Sequence, residues 1–153
     1  RLVIAAILNK LRGQGVARAQ CIDIYRLIAH NLLKDFIVSK NVMVVDDSAV
    51  SRMMLKAIIN SARPDWGVVE AESAEVALQK SAVMPVDFIT LDVNMPGIDG
   101  LSAAPAIKEQ CTSAKIAIIS GKVQPEIRAR AEALGLIFIP KPITEDKVLR
   151  FLK

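Results

Sequence analysis

A parallel α/β sheet covered by helices on both faces is the fold class this sequence predicts. Three observations carry it. From residue 41 onward, short apolar runs alternate with stretches of helical periodicity, five times in about 113 residues. The runs are too continuously apolar for a sheet with one wet face, as expected of strands buried on both sides. Polar and charged residues collect where the runs end, the edge at which such sheets bind ligands.

The elements follow in order. VMVV at 42–45 reads as the first strand. Residues 48–62, SAVSRMMLKAIINSA, read as a helix. Val50, Met53, Met54, Ala57 and Ile58 recur on it at helical spacing and are expected to face the core. RPDWG is a turn whose Trp66 is expected at the surface. VVEA at 68–71 is the second strand, and Ser73 caps a helix bearing Val76, Ala77 and Leu78. DFITLD at 87–92 is the third strand and NMPGIDG a loop. Asp99 caps a helix over roughly 100–110, which Pro105 is expected to kink or shorten. KIAIIS at 115–120 is the fourth strand, and Pro125 and Gly135 punctuate the helix after it. LIFI at 136–139 is the fifth strand. Thr144, Glu145 and Asp146 open a last helix, and Lys147, Arg150 and Lys153 toward its end complement its dipole.

Composition narrows the class. The chain has 153 residues, 52% hydrophobic and 24% charged, enough to bury a core and too apolar for a disordered chain. Its apolar runs fall short of the ~20 residues a membrane span needs, and no secretory signal is recognisable. Cys21 and Cys111 lack metal-like spacing and read as free thiols of a reducing cytoplasm, Cys111 as a passive buried or half-buried one. The net charge of +4 is uneven: residues 1–40 carry seven Lys/Arg against two acids, and residues 41–153 carry 13 against 14. The basic balance therefore belongs to the leading segment, and no direct nucleic-acid partner is expected. The sequence starts at Arg1, as a fragment would.

The chemistry lies at the strand ends. Asp46 and Asp47 end the first strand, Asp92 the third and Ser120 the fourth, and Lys141 follows the fifth. Two adjacent carboxylates repel each other, so a cation is expected beside them. Hard oxygen donors without His or Cys suit Mg2+. An Asp beside Mg2+ and a Lys is a nucleophile suited to phosphorus, and its product is an aspartyl phosphate. Asp99 reads as a cap rather than a ligand.

VVDDS, LDVNMPGIDGL, IIS and KP, in this order over residues 41–153, resemble the receiver domain of bacterial two-component response regulators, of the single-receiver, chemotaxis-regulator type. The resemblance implies a flavodoxin-like, doubly wound, five-stranded sheet of order 2-1-3-4-5. It also implies site roles. Asp92 would accept a phosphoryl group from a sensor histidine kinase or phosphotransfer protein. Asp47, Asp92 and the backbone carbonyl of Asn94 would bind Mg2+ directly, and Asp46 through water. Lys141 would pair with the phosphoryl oxygens, and its bond to Pro142 is expected to be cis. Ser120 would swing to the phosphoryl group while Phe138 turns inward, changing the surface that a downstream protein reads. Four residues depart from the pattern or tune it: Gly121 stands where Ala is commoner, Phe138 lacks a hydroxyl, and Asn94 and Lys122 flank the site.

Residues 1–40 read as two helices broken by RGQG, forming a short all-helical segment ahead of the receiver at 41–153. On the second, Cys21, Tyr25, Ile28, Leu32 and Phe36 share one face. Such a stripe needs a partner: a second copy in a homodimer, the receiver itself, or a missing upstream domain. His30 reads as a surface or interface residue. The expected function is thus a cytoplasmic phosphoacceptor that signals through protein contacts and is not an enzyme, beyond assisting its own phosphorylation and dephosphorylation. The competing expectation is an adaptor or dimerisation protein whose receiver fold does not depend on phosphorylation.

Overall fold

The computed structural model describes residues 40–121 and 124–153. The expectations for the leading helices, Cys21, His30 and Lys122 lie outside them. Five strands alternate with five helices: β1 (Asn41–Val45), α1 (Ala49–Ala62), β2 (Gly67–Ala71), α2 (Ala74–Ser81), β3 (Phe88–Asp92), α3 (Gly100–Gln110), β4 (Lys115–Ser120), α4 (Pro125–Ala133), β5 (Ile137–Pro140) and α5 (Glu145–Phe151). All pairings are parallel and the strand order is β2-β1-β3-β4-β5. This is the doubly wound order expected from the sequence. No helix of the described residues is long and apolar enough to cross a membrane.

Alternation along the strands builds two cores. Met43, Val45, Ile89, Leu91 and Ile118 face one side and pack with Ala77 of α2, Ala104 and Ile107 of α3, and Ala131 of α4. Val42, Val44, Phe88, Ala117 and Ile119 face the other side and pack with Leu55 and Ile59 of α1 and Val148 and Phe151 of α5. Strand β3 sits at the centre, and every one of its residues is buried. The small residues of α2 and α3 let those helices lie close to the sheet and to each other.

The Ser73 and Asp99 caps match the sequence reading, while Ser48, read as the first helical residue, is itself a cap. Ser48 and Ser73 cap α1 and α2 by accepting from the N–H of Ser51 and Val76. Asp99 caps α3, accepting from the N–H of Ser102 at 3.0 Å. Gly135, with φ +70°, closes the connection after α4.

Three expectations need correction. Helix α1 does not bury the stripe its spacing suggests: Val50 and Met53 are each 66% exposed, Met54 is 49% exposed, and Ala57 also faces solvent. Leu55 and Ile59 are the residues buried in the core, and of the expected stripe Ile58 alone packs against it, half-buried. Apolar residues occupy most of the circumference of α1, and the face that wins is the one above Val42 and Val44. Trp66 is not a plain surface residue, because it is half-buried and stacks on the buried Phe88 with ring centroids 5.2 Å apart. Pro105 does not shorten α3, which runs through it to Gln110.

Candidate phosphoacceptor site

Three side chains from three strand ends meet at the carboxyl edge of the sheet. They gather at the point where the strand order reverses between β1 and β3. Asp46, just after β1, and Asp92, the last residue of β3, are each 2% exposed. Lys141, just after β5, places Nζ 2.6 Å from Asp92 Oδ1 and 3.3 Å from Asp46 Oδ2. The ammonium offsets two buried carboxylates that would otherwise face each other alone.

The surrounding backbone fixes these groups. Asp46 Oδ1 accepts from the Ser48 N–H at 2.9 Å, and the Asp46 N–H donates to the Ala71 carbonyl at 3.2 Å. Asp92 Oδ2 accepts from the Asn94 N–H at 2.6 Å. Ser120 ends β4 with no exposure, and its carbonyl accepts from the Lys141 N–H at 2.8 Å. The Lys141–Pro142 bond is cis, as expected.

The electrostatics follow from burial and charge. Burial pushes the Asp92 carboxyl above its usual range, further than the contact and charge of Lys141 draw it back, and the charge of Asp46 adds to the rise. Burial pulls Lys141 down, but its contact with Asp92 and the charges of Asp92 and Asp46 outweigh this, so its ammonium is held more firmly than usual.

The remaining expected residues fall into two groups. Asp47 lies beside the cluster with an exposed side chain, and Asn94 is also exposed. Phe138 is outside the cluster. It is half-buried against the core that includes Ile118 and lines a groove of about 220 Å³ with Lys147, Arg150 and Phe151. Among the described residues, no three His, Cys, Asp or Glu side chains are placed to hold a metal ion together. The donor set still suits Mg2+, which takes one or two protein carboxylates and keeps several waters. Asp92 Oδ1 faces the Lys141 ammonium at 2.6 Å, and an ionised carboxylate has lone pairs beyond that contact to offer a cation. Asp47 offers the open carboxylate.

Four residues that support the site were not read from the sequence. Arg52 reaches back from α1 to the backbone carbonyls of Asp46 and Asp47, and Glu70 of β2 faces its guanidinium. Lys147 Nζ donates to the carbonyls of Pro140 and Pro142 at 2.9 Å each, holding the chain on both sides of Lys141. Gly100 lies against the backbone of Asp92. Only Gly100 left a signal, a glycine directly after the cap Asp99, and its meaning needed the neighbouring strand.

Comparison with known proteins bears on the family and the fold. The family model described as the response regulator receiver domain matches residues 42–153. The chain is similar to the chemotaxis protein CheY of Bacillus subtilis, 36% identical over 110 residues, covering 71% of this chain and 90% of that protein. Its fold is similar to the chemotaxis protein CheY4 of Vibrio cholerae, with a TM-score of 0.67 and 28% identity over 74% of this chain and 95% of that one. It is also similar to a chain in the complex of CheX and CheY with BeF3 and Mg2+ from Borrelia burgdorferi, with a TM-score of 0.66 and 28% identity over 74% and 86%.

Proposed function

This chain belongs to the response regulator receiver domain family, and on that premise we propose that residues 41–153 form a phosphorylation switch with Asp92 as the acceptor. The observation that carries the proposal is the Asp92 carboxylate at the sheet's carboxyl edge, with Oδ1 2.6 Å from the Lys141 ammonium. A carboxylate oxygen of Asp92 attacks the phosphorus of a phosphohistidine on a sensor kinase or phosphotransfer protein. The P–O bond forms, the P–N bond breaks, and the imidazole leaves with the electron pair. Lys141 neutralises charge on the transferred oxygens. Asp47, Asp92 and the Asn94 carbonyl would hold Mg2+ directly, and Asp46 would support it indirectly. When bound, the ion offsets charge on the transferring group.

Transfer is read out as a change of surface. The Ser120 hydroxyl turns to the phosphoryl group and Phe138 repacks, which alters the groove lined by Lys147, Arg150 and Phe151 for a downstream protein. With no hydroxyl on Phe138, its two positions differ by packing alone. The chain signals rather than processes other substrates, and it works in the cytoplasm, beside its kinase. Residues 1–40 serve assembly or docking. That role is tested by light scattering of the full chain and of residues 41–153, with and without Mg2+ and beryllium fluoride. A dimer of the full chain alone assigns the segment to assembly, and monomers throughout oppose assembly and leave docking in cis or a lost partner.

The phosphoryl proposal is tested with acetyl phosphate. The full chain with Mg2+ should gain one phosphoryl group by intact mass, and Asp92→Asn should gain none. Labelling that persists in Asp92→Asn would remove Asp92 as acceptor.

A further inference from the structure

We infer that Arg52 is a positioning residue for the acidic corner, fixing the backbone of Asp46 and Asp47 through one guanidinium nitrogen. The inference rests on the reading of that corner as the Mg2+ site. Arg52 Nη1 donates to the Asp46 carbonyl at 2.8 Å and approaches the Asp47 carbonyl at 3.3 Å. One donor on two successive carbonyls sets the direction of the chain as it leaves β1.

The two acids depend on this contact to different degrees. Asp46 is also held by its own N–H on Ala71, by the Ser48 N–H and by Lys141. The Asp47 side chain is exposed, and its carbonyl is held from α1 by Arg52. Arg52 therefore matters most for where the Asp47 carboxylate stands.

The guanidinium is itself anchored. The Arg52 side chain is 15% exposed, and its Nε lies 3.4 Å from Glu70 Oε2. Glu70 Oε1 takes Lys56 Nζ at 2.7 Å. The contact and charge of Lys56, with those of Arg52, hold the Glu70 carboxyl below its usual range, so Glu70 stays ionised against Arg52. The pairing lets a cation sit behind a cation-binding corner while part of its charge is offset. Lysine could not serve, because a single ammonium lacks the planar fork that meets carbonyls on one side and a carboxylate on the other.

Charge and position make opposite predictions, which makes the inference testable. By Coulomb's law alone, removing Arg52 takes a positive charge from beside the site and tightens Mg2+ binding. Positioning predicts weaker binding, as when groups that orient metal ligands are lost. The experiment is calorimetric Mg2+ titration of the full-length wild type, Arg52→Gln and Arg52→Lys, with thermal unfolding in chelator recorded for each. Both variants should stay folded and lose about 10-fold in Mg2+ affinity, with Lys no better than Gln. Unchanged or tighter binding by Arg52→Gln would overturn the inference, as would wild-type affinity in Arg52→Lys. Should Arg52→Gln fail to fold, Arg52→Lys, which keeps the charge and a good helix former, decides alone. If the wild type binds no Mg2+, the metal reading falls and takes the inference with it. If the wild type binds and the variants match it, the inference alone falls.

Discussion

Gly100 packs so closely on Asp92 that a Cβ at position 100 would lie 2.1 Å from the Asp92 carbonyl oxygen and 2.9 Å from its carbonyl carbon. The start of α3 is thereby pressed onto the strand end that carries the acceptor. The Gly100 N–H reinforces the contact by donating to the Val93 carbonyl at 3.2 Å. Since the obstacle is backbone, it cannot swing aside. Gly100→Ala is expected to cost about 1–3 kcal/mol in denaturant unfolding, as overpacking does, and to slow labelling of Asp92 by displacing it.

Asp92 itself is held at a cost to stability in the metal-free protein. Burial outweighs the help of Lys141, and Asp46 opposes a second negative charge beside it. A neutral residue of the same shape removes that cost, while Lys141 keeps Asp46 as a partner at 3.3 Å. Asp92→Asn should therefore raise the melting temperature in chelator. Mg2+ should raise the melting temperature of the wild type more than that of the variant. A variant less stable than wild type in chelator would contradict this account of the site.

Helix α1 offers a direct test of which face is buried. Leu55 is 1% exposed and Met53 is 66% exposed. Leu55→Ala should cost about 2–5 kcal/mol. Met53→Lys should stay within about 0.5 kcal/mol of wild type. The reverse order, read by urea unfolding, would restore the stripe that the spacing suggests.

The cap of α3 carries a pH dependence of known sign. Hydrogen bonding from Ser102 holds the Asp99 carboxyl below its usual range, with Oδ2 accepting from the Ser102 hydroxyl at 2.6 Å. A carboxyl lowered in the folded state stabilises above its unfolded value of about 4 and loses that contribution as pH falls through the folded value. Asp99→Ala should cost about 1 kcal/mol at pH 7. The gap to wild type should narrow in acid, whereas Asp99→Asn should keep the cap with no such narrowing. A gap that widens in acid would reverse the sign.

The strands and helix caps were legible because their signals are local. Apolar runs such as VMVV and KIAIIS, and Ser73 and Asp99 three residues ahead of the N–H groups they accept from, announce themselves within one turn or one strand. Asp46, Asp92 and Lys141 were legible as a set because parallel strands bring their carboxyl ends to one edge. The buried face of α1 was not legible, because periodicity cannot choose between two apolar stripes on one helix. Arg52 and Lys147 escaped for another reason. They act on backbone carbonyls, which every sequence has, so nothing in the residue pattern marks the acceptor. Trp66 escaped because its stacking partner, Phe88, is distant in sequence.

The central claim is that Asp92 is the phosphoacceptor, and mapping the modified residue tests it most directly. The full chain is labelled with acetyl phosphate and Mg2+, the acyl phosphate is trapped by borohydride reduction, and peptides are sequenced by mass spectrometry. The trapped product is expected at Asp92 and at no other acid. A product at Asp46 or Asp47, or no product in a folded, Mg2+-binding chain, would contradict it.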